Sequence, residues 1–528
     1  MNRFAVAVLG VAFLSWSAAA EAQFSYSFSD AAHAKVDYTT ASVVPKGACA
    51  ALQTGAGAPD VTITSAATIA AANGVPEHCR VNGIIAPEIG FEVDLPATWN
   101  ARFYMFGNGG LAGERPDEPP RVAVRDDALR HHFVVAQTNA GHDDQRELTS
   151  FVTDPQKLVD YAYRAVHLTV LEAKRIAAIY YDRQPVHAYW DGCSTGGRQG
   201  LIEAQRFPGD FDGIVVVAPV LNLVDTQILG MWLGRALDEG KFTLAKIKIV
   251  ADALYKRCGA HDGVIDDPRK CDFDPARDVR ECTAGNGGAD CLTPNETDAL
   301  HKIYGGVVSN GKPYFFGYVK GPEAAAGGVP NQPPVSGWNM WMIPMNYGPF
   351  PGKPLQIAFA LPQLVADHPA PGLSYRNYDF NRGPSQGAKI RALVNATDPD
   401  LVAFRNRGGK LLQFHGWADP ALSPLMSIDY YQKAKAASGA DIGDFYRLFM
   451  VPGMFHCRGG LGTDHFDTIS NLVDWVETGK PPESIAARRV VAGKVTRTRP
   501  LCPYPQAARY KGAGSTDDAA NFTCGAEM

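Results

Sequence analysis

The chain has 528 residues, is 46% hydrophobic and carries a formal net charge of −5. That is enough apolar material for a large core, and the length suggests more than one domain. No basic stripe or Lys/Arg block occurs, so nucleic acid is not an expected partner.

Residues 1–22 read as a cleavable signal peptide. Arg3 supplies the positive end, Phe4 to Trp16 is mostly apolar, and Ala20-Glu21-Ala22 fits a small-x-small cleavage site. The apolar run is shorter than the ~20 residues needed to span a bilayer, and no later segment reaches that length. The mature chain is expected to be secreted or periplasmic, with no membrane partner. Ten cysteines suit an oxidising compartment: Cys49, Cys79, Cys193, Cys258, Cys271, Cys282, Cys291, Cys457, Cys502 and Cys524. Sequence alone does not set their pairing. Local closure suggests 49–79, 258–271, 282–291 and 502–524, which leaves 193–457 as the longest loop. No C-x-x-C occurs, so no metal is expected at these thiols.

Several apolar runs read as buried parallel strands: 103–106, 133–136, 186–190, 214–217, 410–414 and 446–451. Helical periodicity lies between them. In 157–180, Val159, Tyr163, Val166, Val170, Ala173 and Ala177 share a face. Ser423-Pro424 opens a second helix, and Phe466 to Val476 forms the stripe of a third, ended by Gly479. Strands alternating with helices predict an α/β fold with a mostly parallel sheet. Residues 221–398 differ, being rich in Gly, Pro and aromatics. Thr293 to Glu296 looks like a capping box. This stretch reads as an insertion roofing the site, between a first catalytic part (23–220) and a second (399–528).

Gly192-Cys193-Ser194-Thr195-Gly196 fits G-x-S-x-G, a strand-to-helix elbow that exposes a serine hydroxyl. Ser194 is the expected nucleophile, and needs a base to take its proton. Cys193 is a rival nucleophile, excluded if it is in a disulfide. His456 follows the strand 446–451 through Pro452-Gly453 and is the expected base. Asp419, after the strand 410–414, is the expected orienting acid. His465, His415 and His142 are rival histidines, and Asp429 and Asp398 rival acids. The latter two histidines are expected to be structural. The oxyanion donors are expected to be the backbone N–H groups of Thr195 and of Asn108 or Gly109, in the turn Gly107-Asn108-Gly109-Gly110.

Together these residues resemble the tannase and feruloyl esterase family of α/β-hydrolases. The resemblance rests on Cys193-Ser194, Asp419 and His456-Cys457, on the runs 207–214 and 451–457, and on the tail 499–510 with Cys524. The chain order of serine, acid and histidine also matches that fold. The resemblance implies a serine carboxylesterase with a lid domain after the serine half and a disulfide joining the cysteines beside Ser194 and His456. It implies a small aromatic ester as substrate, a hydroxycinnamate or gallate, and no cofactor for the chemistry. The tail is also similar to the branch that hydrolyses mono-hydroxyethyl terephthalate. Trp338, Met340, Trp341, Met342, Tyr347, Phe350 and Phe359 are candidate linings for a flat acyl group. Among them Trp338, Trp341 and Phe359 are the expected substrate contacts. Lys353 is the only cation between 338 and 367, which favours a phenolic ester over a terephthalate carboxylate. A binding protein of the same fold is disfavoured, because all three triad residues are present. Family members carry a calcium loop between two lid cysteines. Here it is short, Gly259 stands where an aspartate is usual, and Asp262, Asp266 and Asp267 are too few for the 6–8 oxygen ligands of Ca²⁺.

Overall fold

The computed structural model describes residues 27–259, 262–283, 288–323, 337–343, 353–439 and 441–526. The expected signal peptide, Tyr347 and Phe350 lie outside these residues, as does the side chain of Met340. The chain begins with β1 (Val61–Ile69), β2 (His78–Ile85) and β3 (Ile89–Pro96). Next come β4 (Arg102–Phe106), β5 (Val134–Thr138), β6 (His187–Cys193) and β7 (Gly213–Val217). A hairpin, β8 (Val307–Ser309) and β9 (Lys312–Phe315), precedes β10 (Lys410–Gly416) and β11 (Tyr446–Val451). Two C-terminal hairpins follow, β12 (Ile485–Val491) with β13 (Lys494–Leu501), and β14 (Gln506–Tyr510) with β15 (Phe522–Ala526).

Nine of these strands form one sheet in the order β1-β2-β3-β5-β4-β6-β7-β10-β11. From β5 to β11 every pairing is parallel, whereas β1, β2, β3 and β5 pair antiparallel. All six expected strands are present. Their near-continuous burial, complete in β5 and β7, reflects helices packed on both faces. The sequence reading missed the antiparallel edge. In β1 only scattered positions are buried, and its Thr, Ser and Ala residues give no apolar run. Helix Ala165–Tyr181 covers one face, and helix Ile469–Thr478 covers the other until Gly479 ends it at φ 72°. Between β7 and β10 no described segment joins the large sheet. That stretch holds helices Leu223–Gly240, Leu244–Cys258 and Pro294–Gly305, the last opened by the expected Thr293/Glu296 capping box.

Five disulfides pair Cys49–Cys79, Cys193–Cys457, Cys258–Cys271, Cys282–Cys291 and Cys502–Cys524. No helix among the described residues is long and apolar enough to cross a membrane.

Candidate active site

Parallel strands end along one edge of a sheet, and open α/β sheets bind ligands there. The turn 107–110 follows β4, Ser194 follows β6, Asp419 follows β10 and His456 follows β11. The fold therefore delivers all four segments to that edge.

Ser194 sits at φ 59°, ψ −117°, between β6 and the helix Thr195–Arg206. A non-glycine residue at positive φ is strained, and such strain persists only where the surroundings hold it. Here the Ser194 N–H donates to Val217 O at 2.9 Å, and its carbonyl accepts from Arg198 N and Val220 N. The backbone crossing is tight. A Cβ on Gly107 would lie 2.4 Å from Gly196 Cα, so glycine is required for the β4 turn to meet the elbow.

Asp419 is fully buried. Its Oδ1 accepts the N–H groups of Ala421 at 2.7 Å and Leu422 at 2.9 Å. Its Oδ2 lies 2.8 Å from His456 Nδ1. Burial alone would raise its pKa. The hydrogen-bonded His456 ring and the nearby His415 ring instead hold it below the usual carboxylate range. An ionised Asp419 makes Nδ1 the protonated nitrogen of neutral His456, leaving Nε2 as the acceptor. The Cys193–Cys457 bridge sets the Cα atoms of the two cysteines 6.0 Å apart, each next in sequence to Ser194 or His456. Among the described residues neither Ser194 Oγ nor His456 Nε2 has a hydrogen-bond partner, so the two are not hydrogen-bonded to each other.

The expected donors Asn108 and Gly109 need correction. The Asn108 N–H donates to Gln199 Oε1 at 3.0 Å, and the Gly109 N–H to Glu114 Oε2 at 3.0 Å. Both amides are held inside the turn. Gly110 comes next, at φ 49°, and its carbonyl accepts from the Thr195 hydroxyl. Among the described residues the backbone N–H groups of Gly110 and Thr195 have no acceptor. Glu114 organises this turn. It also accepts from Asn108 Nδ2 at 3.1 Å and pairs with the buried Arg121 at 2.8 Å. No sequence motif marked Glu114 or Arg121.

Of the expected substrate contacts, Trp338 is displaced. It is fully buried and stacks on Tyr304 at 5.6 Å, so it belongs to the core of the inserted segment. Trp341 sets its edge against the His456 ring at 5.6 Å. Phe359 lies 6.5 Å from Trp341 and beside Gly110, whose added Cβ would fall 3.8 Å from its ring. Gln356 fastens this wall to the acid loop, donating to Pro420 O at 3.1 Å and Ala421 O at 2.8 Å.

The rival residues are engaged elsewhere. His465 Nδ1 meets Asp464 at 2.8 Å. His142 stacks on Phe151 at 3.9 Å, and burial pushes its pKa down to about 4. Asp429 pairs with Lys433 on a helix surface, and Asp398 lies outside the triad, accepting the N–H of Asp400. His415 is the exception, its buried Nε2 lying 3.2 Å from Asp419 Oδ2.

The acidic loop does not fit a calcium ion. Asp262 Oδ2 lies 2.6 Å from Arg499 Nη2, and Asp266 Oδ1 3.3 Å from Arg499 Nη1. Asp267 pairs with Arg269 at 2.8 Å. A guanidinium thus stands among the described carboxylates that would have to ligate the metal, which needs 6–8 oxygen ligands.

The family described as tannase and feruloyl esterase matches residues 73–525. A mono(2-hydroxyethyl) terephthalate hydrolase from Piscinibacter sakaiensis is 33% identical, over 91% of this chain and 92% of its own. Feruloyl esterase B from Aspergillus niger is 29% identical, over 82% of this chain and 83% of its own. The crystal structure of feruloyl esterase B from Aspergillus oryzae has the same fold. Its TM-score is 0.74 at 24% identity, with 90% of this chain and 99% of that chain covered. A match over most of the sequence, on a sheet that brings Ser194, Asp419 and His456 to one edge, places the chain in the tannase and feruloyl esterase family, as a carboxylic ester hydrolase.

Proposed function

We propose that the chain is an exported serine esterase that cleaves aromatic acid esters through an acyl-enzyme. The observation that carries this reading is the buried Asp419 on His456 Nδ1, with Cys193–Cys457 joining the neighbours of histidine and serine. His456 Nε2 takes the Ser194 hydroxyl proton as Oγ attacks the ester carbonyl. The N–H groups of Thr195 and Gly110 receive the developing oxyanion. His456 then returns the proton to the leaving alcohol. Water, activated by the same nitrogen, releases the acid. No step calls for a metal or organic cofactor. Residues 221–398 act as the lid, with Trp341 and Phe359 as walls against which a flat acyl group packs.

Two acyl classes are in play. The aromatic walls suit hydroxycinnamoyl or galloyl groups, while the relative from Piscinibacter sakaiensis supports a terephthalate monoester. Lys353 alone between 338 and 367 weighs towards the phenolic esters. Steady-state kcat/KM on methyl ferulate, methyl gallate and mono(2-hydroxyethyl) terephthalate decides between them. The phenolic esters are expected to exceed the terephthalate ester at least about tenfold, the difference of one well-placed charged contact. The reverse order would assign the terephthalate ester.

Arg499 takes the place of a loop cation and ties residues 262–266 to strand β13. Arg497 reinforces it by donating to Asp262 O at 2.9 Å. A chelator is therefore expected to leave the melting temperature unchanged. Arg499→Met should destabilise by about 3 kcal/mol, because it strands the buried Asp262. A fall of several degrees in chelator alone would show that a metal holds this loop.

A further inference from the structure

His415 lies at the end of β10, fully buried, with Nε2 3.2 Å from the Asp419 Oδ2 that also meets His456. This contact does not count as a hydrogen bond, and Nε2 has no hydrogen-bond partner among the described residues. The opposite nitrogen, Nδ1, lies 2.7 Å from Ser427 Oγ. Ser427 Oγ in turn accepts from Gln413 Nε2 at 2.6 Å, and Gln413 Oε1 accepts from the Tyr446 hydroxyl. Apart from Ser427, which lies on the helix that follows Asp419, these residues come from β10 and β11, and all are buried.

The donors in this row all point one way. Gln413 Nε2 can only donate, so Ser427 Oγ accepts from it. The Ser427 hydroxyl proton then has one acceptor among the described residues, His415 Nδ1. A ring that accepts at Nδ1 carries its proton at Nε2, facing Asp419. The opposite orientation would set a nitrogen lone pair against a carboxylate. Both ends of the row thus select the same arrangement. Chains of hydrogen bonds polarise one another in a low-dielectric interior, so a buried row acts as more than its last member.

We propose that His415 is a positioning residue for the triad: a donor, oriented from Tyr446 through Gln413 and Ser427, that holds Asp419 in place and offsets part of its charge. This rests on the triad reading above. Asp419 Oδ2 is then shared by two histidines, one that accepts the Ser194 proton and one that never leaves the interior. The groups facing Asp419 are His456, His415, the N–H groups of Ala421 and Leu422, and Tyr318, whose hydroxyl donates to Ala421 O at 2.8 Å. No Lys or Arg among the described residues pairs with it. Among the described residues His415 is thus its only source of side-chain compensation besides the catalytic base.

The sign of the effect follows. With the His415 donor gone, more of the Asp419 charge acts on His456 and favours imidazolium, so the acid limb of kcat/KM moves to higher pH. Simple displacement of Asp419 would weaken its hold on His456 and move the limb the other way. The test compares His415→Phe, His415→Gln and Ser427→Ala by pH profile, with kcat and KM determined separately on a phenolic ester. His415→Phe is expected to lower kcat about 10- to 100-fold with little change in KM, and to raise the acid limb. His415→Gln, which keeps an N–H, should recover most of both. Ser427→Ala should move the limb in the same direction by less, and keeps the test open if His415→Phe does not fold. A limb that stays put or falls in all three, or a Gln variant no better than Phe, overturns the proposal. Ser194→Ala run alongside separates the two readings. Turnover surviving there removes the triad itself, whereas an inactive Ser194→Ala with an unmoved limb removes only the role of His415.

Discussion

Ser194→Ala is expected to lower kcat by roughly 10⁴- to 10⁶-fold, the usual consequence of losing the nucleophile of such a triad, while leaving the melting temperature unchanged. The two halves of this expectation have separate grounds. Turnover fails because the two adjacent candidates cannot replace Oγ, the Thr195 hydroxyl being donated to Gly110 O. Cys193, next in sequence, is held in a disulfide and cannot attack. Stability survives because the Ser194 side chain makes no hydrogen bond among the described residues, and its contribution to the elbow is made by the backbone N–H and carbonyl, which alanine keeps. Alanine at φ 59° is as strained as serine. Ser194→Gly should therefore be equally inactive yet more stable, by about 1 kcal/mol, since glycine relieves positive-φ strain. Single-turnover assays and thermal melts of the two variants check this directly. Hydrolysis by Ser194→Ala near the wild-type rate would remove serine as the nucleophile.

The parallel half of the sheet was legible because strands buried on both faces must be written in continuous apolar residues, as in Ile214 to Val217 and Leu448 to Val451. The edge strand β1, with one face open, needs no such run and shows none. The placement of the three triad candidates was legible for a related reason. Each member follows such a strand, and the elbow requires glycines at fixed offsets from its serine. The donors within the candidate oxyanion turn were not legible. Which of Asn108, Gly109 and Gly110 presents a free N–H depends on Glu114 and Gln199 capturing the first two, and those acceptors come from other parts of the chain. Trp338 and Trp341 show the same limit. Three residues apart on one short helical turn, they look interchangeable in sequence, yet one stacks inside on Tyr304 and the other meets His456. His415 was read as a structural histidine because a strand-end histidine usually is one. Its contact with Asp419 arises only when the loop after β10 folds back over the strand.

The double substitution Cys193→Ala/Cys457→Ala carries the largest expected effect on stability, together with a loss of turnover. The bridge spans 264 residues of sequence, and the chain-entropy model gives about 5 kcal/mol for a loop of that size as an upper figure. Its catalytic role follows from where His456 sits. The residue lies on irregular backbone after β11, between Gly453 at φ 68° and Cys457 at φ 65°, with no helix or strand to fix its ring. Three kinds of restraint hold that loop. Ala418 N donates to Met454 O at 3.1 Å, Asp419 holds the ring at 2.8 Å, and the disulfide anchors the next residue to the end of β6. Only the last refers His456 directly to Ser194. Without it the ring keeps its acid partner but loses its register with the nucleophile, and a displacement of about 1 Å is enough to lower the rate about 100-fold. The expected result is a kcat reduced by about that factor at a temperature where the variant is still folded, with a smaller change in KM. Cys282→Ala/Cys291→Ala is the matched control. It removes a bridge closing only 9 residues of sequence within the inserted segment, so it should cost stability and leave kcat alone. Wild-type kcat in the 193/457 variant would mean that strand packing alone aligns the two residues. Equal losses of kcat in both variants would mean that general loosening, rather than register at the elbow, is what the missing bond produces.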